Sequence, residues 1–327
     1  MLVKDMISFM QWSFIEYERS APGSGITPLW VRVASWLRNT ALFEQAWTIV
    51  CDGPLRWWWS EQLCLFTVGF WTVFLLTKGG LWVHGTPEFT FPVHGLTLDP
   101  GREHNVKHVW AYMLLGQLVA ISVATNLFFL ALPPPPGTAE NSKKSAERGA
   151  AAVSARRKMR TVPPVLWLSV LASLATVFLV PHSLRHDYFL SNLLVMHALL
   201  VIPLLLPLPL PVSAMRIGGP LLRLHIQTRT LYRLVALVAI IAHLRTTLST
   251  DIGVVGAPGT LWAVLKSHPA QASIGWDVVW TTISFLMWVR VRALVTGTRL
   301  TVILTMILST VIGSIGASGP VYMMMVL

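Results

Sequence analysis

Long apolar runs separated by short polar connections dominate the chain after its first sixty residues. A helix needs roughly 20 mostly apolar residues to cross a bilayer. Seven runs qualify, at about 62–83, 108–132, 163–181, 190–212, 231–249, 272–294 and 299–320. They predict an all-α fold, a polytopic transmembrane helix bundle of about seven spans. The stretch 27–60 reads differently. It mixes Trp and Leu with Arg at helical spacing, which suits an amphipathic helix lying in the membrane interface, with Trp57, Trp58 and Trp59 at headgroup depth. The expected organisation is therefore an N-terminal region 1–60 and a single bundle 61–327.

One connection interrupts that bundle. Residues 133–161 begin with a run of prolines and continue as a Ser-, Ala- and Lys/Arg-rich stretch too poor in apolar residues to form a core, which predicts a flexible linker. The Leu-Pro alternation at 203–211 ends the fourth run, because each proline removes a backbone donor. No repeat of one group of runs in another is legible.

Composition agrees with the pattern. The chain has 327 residues, 54% apolar and 12% charged, with 15 Trp. Its formal charge of +11 could signal a nucleic-acid partner, but the 25 Lys and Arg are divided among the connections instead of forming a basic domain. Fourteen of them fall in 133–161, 213–233 and 290–300, against six at the intervening connections. By the positive-inside rule, strict alternation puts the N-terminus in the cytosol and the C-terminus on the lumenal side. The first twenty residues lack the basic start and apolar centre of a signal peptide. Cys51 and Cys64 have no metal-ligand framework around them and are expected to be free thiols.

The polar residues inside or beside the runs carry the candidate chemistry. Asp277, Thr281, Ser284 and Trp288 follow steps of four, three and four, so they share a helical face with Trp276 and Trp280 nearby. A second stripe runs from Asn105 through His108, Tyr112, Leu115, Val119 and Ser122 to Asn126. A pocket between these two runs would satisfy both. Asp187 and Glu103 are the other carboxylates near run ends, whereas His197 and His243 suit hydrogen-bonded structural roles. Charges at membrane depth are costly unless they face a cavity or a partner. Asp277 could instead pair with His108 or Arg245 as a structural link, or snorkel to the interface. Glu103, His104 and His108 have a spacing that could begin a metal site, but further ligands are missing, and no phosphate-binding, dinucleotide-binding, GxSxG, HExxH or DDxxD motif occurs. No metal or other cofactor is expected. A carboxyl in a dry cavity can protonate an apolar substrate, and Trp and Tyr faces can stabilise the resulting cation.

Three stretches, NVKHVWAYMLLGQLVAISVATNLFFLAL (105–132), HSLRHDYFLSNLLVMHALLVIPLL (182–205) and HPAQASIGWDVVW (268–280), resemble the integral-membrane terpene cyclases of fungal meroterpenoid pathways, of the ascochlorin and ascofuranone type. The resemblance implies protonation of a terminal epoxide on a farnesyl-type chain, cyclisation of the carbocation and a final deprotonation, with no cofactor, in the endoplasmic reticulum membrane. Its expected partners are the lipid bilayer and an apolar prenylated epoxide. Asp277 is then the first candidate acid, Asp187 the second and Glu103 the third. A transporter or channel whose substrate path is lined by the same stripes is the main alternative, and a receptor ranks third.

Overall fold

The computed structural model describes residues 2–20, 27–78, 106, 108–132, 161–205, 226–250, 257–296 and 300–327. Twelve helices lie among them: α1 Leu2–Ser20, α2 Leu29–Asn39, α3 Leu42–Cys51, α4 Pro54–Lys78, α5 Val109–Leu118, α6 Ile121–Ala131, α7 Pro164–Ser183, α8 Phe189–Leu205, α9 Thr228–Ser249, α10 Ala257–Leu265, α11 Pro269–Thr296 and α12 Leu300–Val326. Five of these, α4, α7, α9, α11 and α12, are long and apolar enough to cross a membrane. The protein is an all-α membrane helix bundle, as the apolar runs predict. Two two-residue strands, β1 Thr161–Val162 and β2 Ile226–Gln227, pair antiparallel and set the starts of α7 and α9 side by side.

The first long helix begins earlier than its hydropathy suggests. It starts at Pro54, whose fixed φ suits the first helical turn, and it takes in Trp57, Trp58 and Trp59. These tryptophans pack into the bundle. Trp57 is buried, Trp58 Nε1 donates to Thr247 Oγ1 at 3.0 Å, and Trp59 Nε1 donates to the Leu261 carbonyl at 3.3 Å. Midway, Phe66–Trp71 widen into a π-helical segment, a local irregularity frequent at functional positions.

Two of the apolar runs do not cross as straight helices. The run 108–132, expected as one span, breaks at Val119 and Ala120 and folds back on itself. Tyr112 packs on Phe128 with ring centroids 5.3 Å apart, and a Cβ on Gly116 would lie 3.4 Å from that of Ala124. Residues 112 and 128 would be about 24 Å apart along a straight helix. α5 and α6 are therefore a helical hairpin. α12 does the same. Ser314 has φ 65° and ψ 178°, and Thr310 Oγ1 lies 2.7 Å from Ser318 Oγ, eight residues on. A straight helix would separate those residues by about 12 Å, so the chain reverses at Ser314.

Both hairpins enter from one end of the bundle. Lys78, Leu132, Arg292 and Val326 line a common cleft, which puts the C-terminal ends of α4, α6, α11 and α12 together. α9 runs antiparallel to α4, since Trp58 meets Thr247 and Gly69 lies against Val235. The starts of α7 and α9 therefore share the Lys78 end. α7 and α8 form an antiparallel pair in which Asn192 Nδ2 donates to the Thr176 carbonyl at 3.1 Å. Strict alternation through seven spans had put Lys78 and the C-terminus opposite Leu132 and Arg292. The two hairpins remove that alternation. At the far end α1–α3 pack around the start of α11, with Trp12 edge-on to His268 at 4.6 Å and Ser13 bonded to Gln45 and Trp36.

The α12 hairpin seats itself through small residues. Apolar burial gives helices little drive to associate in lipid, so close van der Waals packing must do it. Gly316 lies against Leu65 and Phe66, and Gly319 against the Phe70 ring, where an added Cβ would stand 2.3 Å from Cγ. That ring is held by Phe66, Phe74, Tyr232 and Phe285 and has little room to yield. Gly319→Val should cost about 1–3 kcal/mol of stability, the usual scale of overpacking. The check is the thermal unfolding midpoint of the protein in detergent, expected to fall by several degrees. An unchanged midpoint would contradict this packing.

Candidate functional site

Asp277 lies on α11 and is only 6% exposed. Its Oδ2 accepts the Ile121 backbone N–H at 3.1 Å, and its Oδ1 accepts the Ser122 N–H at 2.8 Å. These are the first two amides of α6, donors with no partner inside their own helix. Water is scarce at membrane depth, so a helix that begins there needs an internal acceptor. The carboxylate supplies it and also meets the positive end of the helix dipole. Asp277 thus fastens the tip of the α5–α6 hairpin to α11.

The rest of the expected face is divided. Thr281 is fully buried and its Oγ1 has no hydrogen-bond partner, Ser284 is half-buried, and Trp288 stacks on Phe129 at 4.6 Å. Trp276 packs on Trp262, while Trp280 is 45% exposed on the outer side of α11. The second stripe does not line a pocket, because the hairpin turns it around. Ser122 meets Asp277, Tyr112 packs within the hairpin, Val119 and Asn126 are exposed, and exposed His108 sits in a left-handed conformation before α5. That position is the hairpin's open end, away from Asp277, so His108 cannot be its partner. Arg245 is exposed on α9 and makes no ion pair with Asp277. Asp187 is exposed in the turn between α7 and α8. Glu103, His104 and Asn105 lie outside the described residues. Among the described residues no three His, Cys, Asp or Glu side chains are grouped to hold a metal ion.

The histidines separate as well. His197 Nδ1 is 2.8 Å from the Leu193 carbonyl, a structural bond. His243 is buried against Trp58 at 5.4 Å between ring centroids, and its Nδ1 has no partner. Both cysteines are free and buried. Outside the spans, burial pushes the Cys51 thiol well above its ordinary value, with buried Cys64 adding to the shift.

A second carboxylate at membrane depth went unnoticed in the sequence. Glu61, on α4, is 3% exposed, and its Oε2 is buried with no hydrogen-bond partner. The Thr246 hydroxyl of α9 is its polar neighbour, with Arg245 on the exposed flank of the same turn. Trp58, one turn earlier, covers His243 and donates to Thr247. An acidic residue seven positions into a helix that opens on Pro54 was the available signal. The polar residues Arg56, Glu61 and Gln62 dilute the local hydropathy, so the run seemed to begin after Glu61.

Below the carboxylates, towards the Lys78 end, the interior is aromatic. Phe66, Phe70 and Phe74 of α4 form a ladder that meets Phe285 and Trp288 of α11, with Phe129 and Tyr322 closing on Trp288. Phe66, Phe70, Phe74 and Phe285 are fully buried. A buried carboxyl with an oxygen free of hydrogen bonds, as at Glu61, can deliver a proton, and ring faces can stabilise a cation.

Fold and site together define a polytopic helical membrane protein with two hairpins that re-enter from one end. Residues 231–326, from α9 to the end of α12, match the family model described as Protein of unknown function DUF2834. No curated protein and no solved structure matches the chain. The matched part contains Asp277 but not Glu61.

Proposed function

We propose that the protein is a membrane terpene cyclase that protonates a terminal epoxide on a farnesyl-type chain and cyclises the resulting carbocation, without metal or redox cofactor. The observation that carries the reading is the contiguous, buried aromatic core on the Lys78 side of Glu61, a buried carboxyl with one oxygen free of hydrogen bonds. Ring faces stabilise cations by their quadrupoles, and they do so best where the cation is desolvated. The epoxide and the farnesyl-type chain in this reading come from the resemblance of 105–132, 182–205 and 268–280 to fungal meroterpenoid cyclases, and no match to a curated protein adds to it. The expected partners are the lipid bilayer and an apolar prenylated epoxide, with no nucleic acid. The expected membrane is that of the endoplasmic reticulum.

The basic connections begin and end at the Lys78 end, which faces the cytosol by the positive-inside rule. The C-terminus then lies on the cytosolic side and α1–α3 on the lumenal side, the reverse of what strict alternation implies. The test of function uses microsomes containing the protein and a farnesyl-aryl terminal epoxide. An isomer of unchanged mass, absent from control microsomes, is the expected product, and its absence with folded protein would contradict the reading.

The hairpins favour a second reading, a small-molecule transporter. Broken helices and half-helix termini near the midplane are recurring parts of transporter sites. Against it stands the fully buried ladder of Phe66, Phe70 and Phe74, which leaves no polar route between the carboxylates and the cleft at the Lys78 end.

A further inference from the structure

The bundle contains two units built alike. Each opens on a proline, at Pro54 and Pro269, crosses towards the Lys78 end, and is followed by a hairpin re-entering from that end. The two crossing helices run side by side in the same direction, with Phe70 against Phe285 at 5.5 Å and Phe74 against Trp288 at 5.5 Å between centroids. Glu61 precedes Phe70 by nine residues and Asp277 precedes Phe285 by eight. At about 1.5 Å per residue, the two carboxylates sit within about a turn of the same depth. They are counterparts.

Their surroundings differ. Both oxygens of Asp277 are occupied by backbone donors at the tip of the α5–α6 hairpin. The α12 hairpin, next to α4, makes no such demand on Glu61. Its tip is one turn further along, with Gly316 against Leu65 and Phe66 and the Gly316 N–H donating to Ser314 Oγ at 3.2 Å. Glu61 keeps one buried oxygen, Oε2, with no hydrogen-bond partner, although the Thr246 hydroxyl bonds the carboxyl and the Arg245 charge acts on it from beyond ion-pair distance. A buried polar group in that condition needs a reason to persist.

Resting on the cyclase reading, we infer that the two counterparts have divided the work: Asp277 is the latch that positions the α5–α6 hairpin, and Glu61 is the acid that opens the epoxide. The Glu61 carboxyl proton passes to the epoxide oxygen, and the C–O bond to the more substituted carbon breaks with its electron pair staying on oxygen. The cation is attacked by the chain's own double bonds. The final cation sheds a C–H proton, whose bonding pair becomes the product alkene, and that proton restores the carboxyl. Substrate and product are isomers, and no other reactant is consumed.

Glu61→Gln keeps the shape and removes the acid. In microsomes given the farnesyl-aryl epoxide, turnover per folded molecule should fall by at least ~100-fold, the usual scale for losing a general acid. Full turnover in Glu61→Gln would overturn the assignment. The second arm needs no substrate. A membrane-permeant carbodiimide adds to protonated carboxyls in apolar surroundings, so on wild-type membranes it should modify Glu61 and spare Asp277 by peptide mass. Modification of Asp277 with Glu61 untouched would overturn the assignment, whether or not Glu61→Gln folds. If wild type makes no isomer while Glu61 is still modified selectively, it is the cyclase reading that fails.

Discussion

Asp277→Ala should leave little folded protein. The substitution orphans the Ile121 and Ser122 amides at a depth where water cannot replace the lost acceptor. A buried donor without a partner costs about 1–3 kcal/mol, so two cost roughly 2–6 kcal/mol, a large share of a typical domain's stability. Asp277→Asn should fall between, because its amide oxygen can still accept one of the two N–H groups while its NH2 faces the other. The measurement is the monodisperse fraction in detergent together with turnover per folded molecule. A reduced fraction with normal turnover is expected. A full folded yield with turnover reduced ~100-fold in Asp277→Asn would instead make Asp277 the acid and remove its role as a latch.

The second large effect concerns topology. A tag placed after Leu327 and a tag inserted within 133–160 should be reached from the same side of the membrane, because Val326 and Leu132 share one end of the bundle. A tag before Leu2 should be reached from the other. Protease protection of sealed microsomes reads all three. Seven straight spans would give the opposite pattern, with the tags at Leu327 and 133–160 on different sides. That outcome would mean that α12 does not reverse at Ser314.

What the sequence disclosed and what it hid have a common physical cause. Apolar runs mark where helices are, so the bundle was legible, as was the inward face of Asp277, Thr281 and Trp288. Hydropathy is blind to direction. Lipid-facing and protein-facing positions are both apolar, and a hairpin inside the membrane reads like a straight helix of the same length. Val119 and Ala120 carry no Gly or Pro to announce a turn, and their reversal is fixed by a carboxylate more than 150 residues away. The turn in α12 did leave a trace in the small residues Gly313, Ser314, Gly316, Ser318 and Gly319, ahead of Pro320. Glu61 was hidden by its polar neighbours, and the pairing of like-built units by their lack of sequence likeness. His108 and Asp277 looked like partners only under a straight second span.

A cyclase converts the apolar epoxide within the bundle, whereas a transporter carries it through unchanged. Purified protein in proteoliposomes, supplied externally with a farnesyl-aryl terminal epoxide, tests this when conversion and lumenal accumulation are measured in the same samples. An isomer of unchanged mass should accumulate at a rate proportional to folded protein. Unaltered epoxide delivered to the lumen, with no isomer formed, would contradict the cyclase reading.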